Sequence, residues 1–140
     1  LIHTNLIGTY YSLRAAQKYL LEGTPTHLVV ISSCLARFGV PGYTGYCASK
    51  AGLLGMVRAF ALEVASRGTQ INAICPGWVD TEMAREGAEK VGWDYVLKDL
   101  PLGEMVPPRE VANIVVFLAS GKARHATGSS INVNGGSFPR

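Results

Sequence analysis

Tyr46 and Lys50 stand four residues apart within the stretch 32–51. A helical turn there sends both side chains off one face, roughly 6 Å apart at Cβ. A phenol beside an ammonium is a tuned acid: free tyrosine titrates near about pH 10, and a fixed positive neighbour favours the phenolate. General acid–base catalysis needs that kind of tuning. Ser33 lies thirteen residues before Tyr46, at the end of the apolar run 28–31, where a strand would present its last side chains beside the next helix. The three polar groups could then meet over one substrate carbonyl. The pair alone is weak, because a solvated helix carries such spacings by chance. The elements around it have to decide.

A helix over 5–21 is predicted by Leu6, Tyr10, Leu13 and Leu20, with Arg14 and Lys18 on the wet side; Glu22, Gly23, Thr24 and Pro25 stop it. The run 27–32, rich in valine and isoleucine, reads as a strand buried on both faces of a parallel sheet. Gly39, Pro41 and Gly42 make a loop before a helix over 45–67, striped by Leu53, Leu54, Val57, Ala61 and Val64 and ended by Gly68. The first half of that helix is light in bulk, with Ala48, Ser49, Ala51, Gly52 and Gly55, and permits a close neighbour. A strand over 70–74 completes a βαβ unit, whose strands should be parallel neighbours.

Pro76 and Gly77 turn the chain at the carboxyl end of that strand, the edge where open α/β sheets bind ligands. The segment 82–105 shows only short polar and aromatic pieces and suits a lid over a pocket. Pro107 and Pro108 open a last helix striped by Val111, Ile114, Val115 and Leu118, and a final strand over Ser130–Val133 ends at Gly135 and Gly136. Alternating α and β elements give a layered α/β fold around a parallel sheet.

Composition narrows the classes. The 140 residues suit one domain, and 48% apolar with 16% charged residues argue for a buried core and against disorder. The net charge of +3 comes from scattered lysines and arginines, so no nucleic-acid footprint is expected. Cys34, Cys47 and Cys75 fall in no metal-ligand spacing and read as free thiols of a reducing compartment, with no metal expected. Without a leader or a membrane-length apolar run in the sequence, a cytoplasmic location and no membrane partner are expected.

Several stretches together resemble the short-chain dehydrogenase/reductase family. They are Thr4-Asn5-Leu6, Ile31-Ser32-Ser33, Tyr46-Cys47-Ala48-Ser49-Lys50, Ile71-Asn72-Ala73-Ile74-Cys75-Pro76-Gly77, Thr81, Thr127-Gly128 and Val133-Asn134-Gly135-Gly136. The resemblance implies a Rossmann-like doubly wound parallel sheet, of which 1–140 is the carboxyl-terminal part only. The family's glycine-rich pyrophosphate turn and its NAD-or-NADP selector do not occur in this sequence, so the dinucleotide-binding half is expected to lie outside it.

The resemblance also implies roles. Tyr46 would donate the proton in ketone reduction, or take it in alcohol oxidation. Lys50 would hold the nicotinamide ribose, Ser33 would bond the substrate oxygen, and Asn5 would hold a water linking Lys50 to solvent. Pro76, Gly77, the backbone of Val79 and the Thr81 hydroxyl would embrace the nicotinamide of NAD or NADP. The expected substrate is a small alcohol or ketone or an acyl thioester, since the stretch 63–68 and the ending 133–136 are similar to 3-oxoacyl-(acyl-carrier-protein) reductases. Homo-oligomerisation as a dimer or tetramer is expected through the two long helices and the last helix and strand. The alternative expectation is a truncated, non-catalytic remnant or assembly subunit of such an enzyme.

Overall fold

The computed structural model describes residues 1–20 and 24–138. Its centre is β2 (Thr69–Pro76), flanked in a three-stranded parallel sheet by β1 (Thr26–Ile31) and β3 (Ser130–Val133). The register runs from Thr26 opposite Thr69 to Ile31 opposite Ile74, and from Ala73 opposite Ser130 to Pro76 opposite Val133. Every residue of β2 is buried, as a strand with neighbours on both edges and helices on both faces should be. β2 outruns the expected 70–74 at both ends. Its last pair brings Pro76 beside Val133, and the Gly77 N–H then donates to the Val133 carbonyl at 3.0 Å.

β1 departs from the expectation of burial on both faces: most of it is half-buried, and Ile31 is 45% exposed. Among the described residues β1 is one of the sheet's two edge strands, so only one of its long sides meets another strand.

α2 (Thr44–Val64) packs on one face of the sheet and follows the expected helix closely. Leu53, Leu54, Val57, Phe60, Ala61 and Val64 are buried against Val30, Ile71, Ala73 and Cys75, residues that alternate along their strands toward one side. Each large side chain so buried contributes about 1.5–3 kcal/mol. A short 3₁₀ turn over Ala65–Arg67 follows, and Gly68 closes it in the left-handed conformation at φ +72°. α5 (Pro108–Ala119) and the turn after it cover the other face. There the side chains of Gln70 and Asn72 donate to the carbonyls of Arg124 and Ala126.

The first helix differs from the uninterrupted 5–21 prediction. A π-helical turn over His3–Ile7 leads into α1 (Gly8–Gln17), and Lys18 is its C-cap. Leu21 and the stop signals Glu22 and Gly23 lie outside the described residues. Leu13 is buried, but Tyr10 is 45% exposed and belongs to an outward face. The low bulk of α2 is used here: a Cβ on Gly52 would come within 2.8 Å of Leu6 Cδ1.

The segment 82–105 is better ordered than its sequence suggested. It forms α3 (Glu82–Val91) and α4 (Trp93–Lys98), with a small core of Ala88, Val96, Leu100 and Met105 against Trp78 and Ala84. The apolar side of α3 is carried by alanines packed on an indole, too little bulk to register as a stripe. A parallel bridge between Val79 and Val106 closes the base of this segment. No helix among the described residues is long and apolar enough to cross a membrane.

Candidate active site

The carboxyl end of β1 and the first turns of α2 are stitched together by reciprocal bonds. The Ser32 hydroxyl donates to the Lys50 carbonyl at 2.9 Å, and the Lys50 ammonium donates to the Ile31 carbonyl at 3.0 Å. Lys50 Nζ stands 5.7 Å from the centre of the Tyr46 ring, so the two side chains share a face as their spacing predicts. Burial pushes the Lys50 ammonium below its ordinary value, against a smaller opposing influence from Cys75. Tyr46 also meets Tyr43 edge-on, with ring centres 6.4 Å apart.

Ser33 is buried at the start of a 3₁₀ turn over Cys34–Ala36. Its hydroxyl accepts from the Leu35 N–H at 3.1 Å. A hydroxyl has one proton to donate and two lone pairs. The bond from Leu35 takes up one lone pair, and the hydroxyl also bonds the Cys34 thiol. The neighbouring Cys34 thiol is pushed up chiefly by burial.

Asn5 lies in the π-helical turn, whose wider winding is a frequent feature of functional sites. Its amide donates to the Ser49 hydroxyl at 3.3 Å, and that hydroxyl donates to the Tyr46 carbonyl at 2.8 Å. Asn5 therefore reaches the Tyr46–Lys50 turn through Ser49, which is fully buried.

Pro76 and Gly77 end β2 beside the close of β3. A Cβ on Gly77 would meet Asn134 Cβ at 2.8 Å and its Cα at 3.0 Å, so only glycine fits. Around Val79 the bridge bonds belong to its neighbours: the Val106 N–H donates to the Trp78 carbonyl at 2.8 Å, and the Asp80 N–H donates to the Val106 carbonyl at 2.9 Å. Thr81 caps α3, its hydroxyl accepting from the Ala84 N–H at 3.3 Å. Asp80 grips Arg85 through two bonds of 2.6 and 2.8 Å, and this guanidinium holds the Asp80 carboxyl below its usual range. Asp80, Thr81, Glu82, Arg85, Glu86 and Glu89 line an open cleft of about 430 Å³ at the start of α3.

Ser33, Tyr46 and Lys50 thus sit where β1 meets α2, with Asn5 joined from behind. Pro76, Gly77, Val79 and Thr81 follow the carboxyl end of the neighbouring strand. Neither Ser32 nor Ser49 is among the residues expected at the site, although each is a small polar residue close to one of them. Their partners are the main-chain carbonyls of Lys50 and Tyr46 and the Asn5 amide, forty-four residues away, which residue type alone does not indicate.

A parallel α/β sheet with a tyrosine–lysine turn clamped to the carboxyl end of one of its strands defines a class, and the chain belongs to the short-chain dehydrogenase/reductase family. The family profile described as "Enoyl-(Acyl carrier protein) reductase" matches residues 1–137. Among curated proteins, the chain is 42% identical over 137 residues to an acetoacetyl-CoA reductase of Shinella zoogloeoides, covering 98% of this chain and 57% of that one. It is 40% identical over 135 residues to a 3-oxoacyl-(acyl-carrier-protein) reductase of Rickettsia felis, covering 96% and 56%. The chain spans little more than half the length of these relatives. Among solved structures, a candidate 2-deoxy-D-gluconate 3-dehydrogenase from Agrobacterium tumefaciens with bound NADP superposes with a TM-score of 0.90 at 30% identity, over 97% of this chain and 56% of that one. A short-chain dehydrogenase family protein from Francisella tularensis gives a TM-score of 0.87 at 27% identity, over 100% and 61%.

Proposed function

We propose that the protein to which this chain belongs is an NAD(P)-dependent oxidoreductase that moves a hydride between a nicotinamide and a secondary alcohol or ketone, with 3-oxoacyl thioester reduction as its specific reaction. The observation that carries the proposal is the Tyr46–Lys50 turn, fixed by Ser32 and Ile31 beside Ser33. The relatives that act on acetoacetyl-CoA and on 3-oxoacyl carrier protein support the thioester as substrate.

The donor set suits a nicotinamide cofactor. An ammonium and a phenol on one helical turn can bond ribose hydroxyls, and the main chain around Gly77 and Val79 can pair with a carboxamide. Tyr46, Lys50, Pro76, Gly77, Val79 and Thr81 would hold NAD or NADP, which supplies the hydride. The Ser33 O–H would donate to the substrate carbonyl oxygen and steady the alkoxide as it forms. Tyr46 would then give its phenolic proton to that oxygen, so the carbonyl becomes a secondary alcohol. Lys50 would orient the ribose and carry positive charge beside the phenol. Asn5, held to Ser49, would hold the water through which the proton on Tyr46 is replaced.

A homo-oligomer built on the outer faces of α1, α2 and α5 belongs to the same proposal. Tyr11 is 64%, Leu62 83% and Val116 67% exposed, large apolar surface for helices of a folded chain.

The test is NADPH oxidation by the full-length protein with acetoacetyl-CoA. Turnover that falls by about 10²–10⁴-fold in Tyr46→Phe supports the reading. Full turnover in Tyr46→Phe overturns it. A folded, full-length protein that neither binds reduced nicotinamide nor turns over favours the non-catalytic remnant instead.

A further inference from the structure

Arg37 reaches from the loop after Ser33 to β3, ninety-three residues further along the chain. Its Nη2 donates to the Ser130 carbonyl at 3.2 Å and to the Ser130 hydroxyl at 2.5 Å. Beside it the Phe38 ring packs on the Phe138 ring, with centres 4.8 Å apart and planes inclined at 35°. The Phe138 end is fixed in turn. Its carbonyl accepts from the amides of Asn132 and Asn134 at 3.4 and 3.0 Å, and the Asn134 side chain also accepts from the Gly136 N–H at 3.1 Å. Two successive residues of the Ser33 loop are therefore held by two separate parts of the chain's last strand and turn, one by hydrogen bonds and one by ring packing.

The brace acts on a short lever. The Ala36 N–H donates to the Ser33 carbonyl at 3.0 Å, the Arg37 N–H to the Cys34 carbonyl at 2.9 Å, and the Leu35 N–H to the Ser33 hydroxyl. A 3₁₀ turn of three residues is marginal by itself, because its bonds are few and poorly aligned. A loop with one free end would let the Ser33 hydroxyl wander by more than hydrogen-bond catalysis tolerates, since misplacement by about 1 Å can cost 10²-fold.

We infer that Arg37 and Phe38, clasped by Ser130 and Phe138, are positioning residues that set the Ser33 hydroxyl. The inference rests on the proposed role of Ser33 for its effect on rate, but its structural content stands on the contacts alone. Ser33 acts on developing negative charge, so a loosened brace lowers kcat and spares KM.

The experiment uses the full-length protein and two independent readouts. In Arg37→Ala, the Leu35 amide exchanges with solvent about tenfold faster while amides in the middle of α2, such as Val57, keep their rates. Phe138→Ala does the same to a smaller extent. In turnover of acetoacetyl-CoA with NADPH, Arg37→Ala lowers kcat about tenfold with KM within threefold, Arg37→Lys recovers at least half of the loss, and the defect vanishes in a Ser33→Ala background. An unchanged Leu35 rate, equal acceleration of all amides, or an undiminished Arg37→Ala defect in Ser33→Ala overturns the inference. If Leu35 responds as stated in a protein that never turns over substrate, the brace stands and the proposed function fails; turnover lost in Tyr46→Phe with Leu35 indifferent to Arg37 gives the reverse.

Discussion

The Lys50 ammonium donates at 3.0 Å to the carbonyl of Ile31, the last residue of β1. One bond thereby fixes the height of the helix turn that carries Tyr46 against the strand end that leads into Ser33. The Ser32 hydroxyl, bonded to the Lys50 carbonyl, closes the link from the other side. The cation is held by the backbone and not by a carboxylate, which leaves its charge available to a ligand.

This arrangement makes a pH prediction for stability. Burial lowers the Lys50 pKa from 10.5 in the folded protein, so the unfolded chain holds that proton more tightly. The sign is that of a depressed base: the group opposes folding at neutral pH, and the opposition fades as pH rises through the folded value toward 10.5. Urea unfolding of the wild type and Lys50→Met across the alkaline range should show the wild type gaining on the variant with rising pH. A constant gap would contradict the burial assigned to this ammonium.

Gly77 and Gly55 should respond in opposite directions to the same substitution. Gly77→Ala drives a Cβ onto the Cα and Cβ of Asn134, backbone-linked atoms that cannot swing aside, and should cost about 1–3 kcal/mol. Gly55 is exposed in the interior of α2 with nothing within 4 Å of its Cβ position in the single chain, so in the dissociated protein Gly55→Ala should stabilise by about 0.5–1 kcal/mol. Denaturant midpoints of the two variants check both signs.

The Asp80 carboxyl should titrate below its ordinary range because Arg85 stays charged beside it. Arg85 depresses the Asp80 carboxyl below 3.8, so the pair supports folding above that value and the support is lost as pH falls through the folded value. In Arg85→Ala the Asp80 carboxyl should return to near 3.8 when followed by carboxyl carbon NMR. Because the pair is exposed, global stability should barely change. A titration unmoved by the substitution would show that the bidentate contact is not formed in solution.

The outward face of α1 and α2 should be covered in the assembled protein. Tyr10, Tyr11 and Leu62 are exposed there, and Arg14 meets Glu63 across the two helices at 3.5 Å. Light scattering should give a multiple of the monomer mass, and Leu62→Glu should shift it toward the monomer. A monomeric wild type would contradict the oligomer.

Legibility followed bulk and periodicity. Leu53, Leu54, Val57, Ala61 and Val64 marked α2 because large apolar residues at helical spacing leave little choice of face. Gly68 marked its end because a left-handed cap favours glycine. α3 shows no stripe in the sequence because its apolar side rests on the small Ala84 and Ala88, whose packing partners Trp78, Val96, Leu100 and Met105 all stand outside the helix. The π-helical turn around Asn5 has no pattern of its own, and the exposure of Tyr10 depends on where α2 runs.

The sequence by itself determined the alternation of strands and helices, the parallel pairing of β1 with β2, and the shared face of Tyr46 and Lys50. These follow from short-range stereochemistry: side-chain periods of two and 3.6, and glycine and proline at turns. Tertiary structure alone decided that Ser32 locks Lys50, that Ser49 joins Asn5 to Tyr46, and that Arg37 ties the Ser33 loop to Ser130. Such bonds join residues up to ninety-three positions apart, and a hydroxyl or guanidinium acquires its partner only when packing fixes which backbone groups lie within reach.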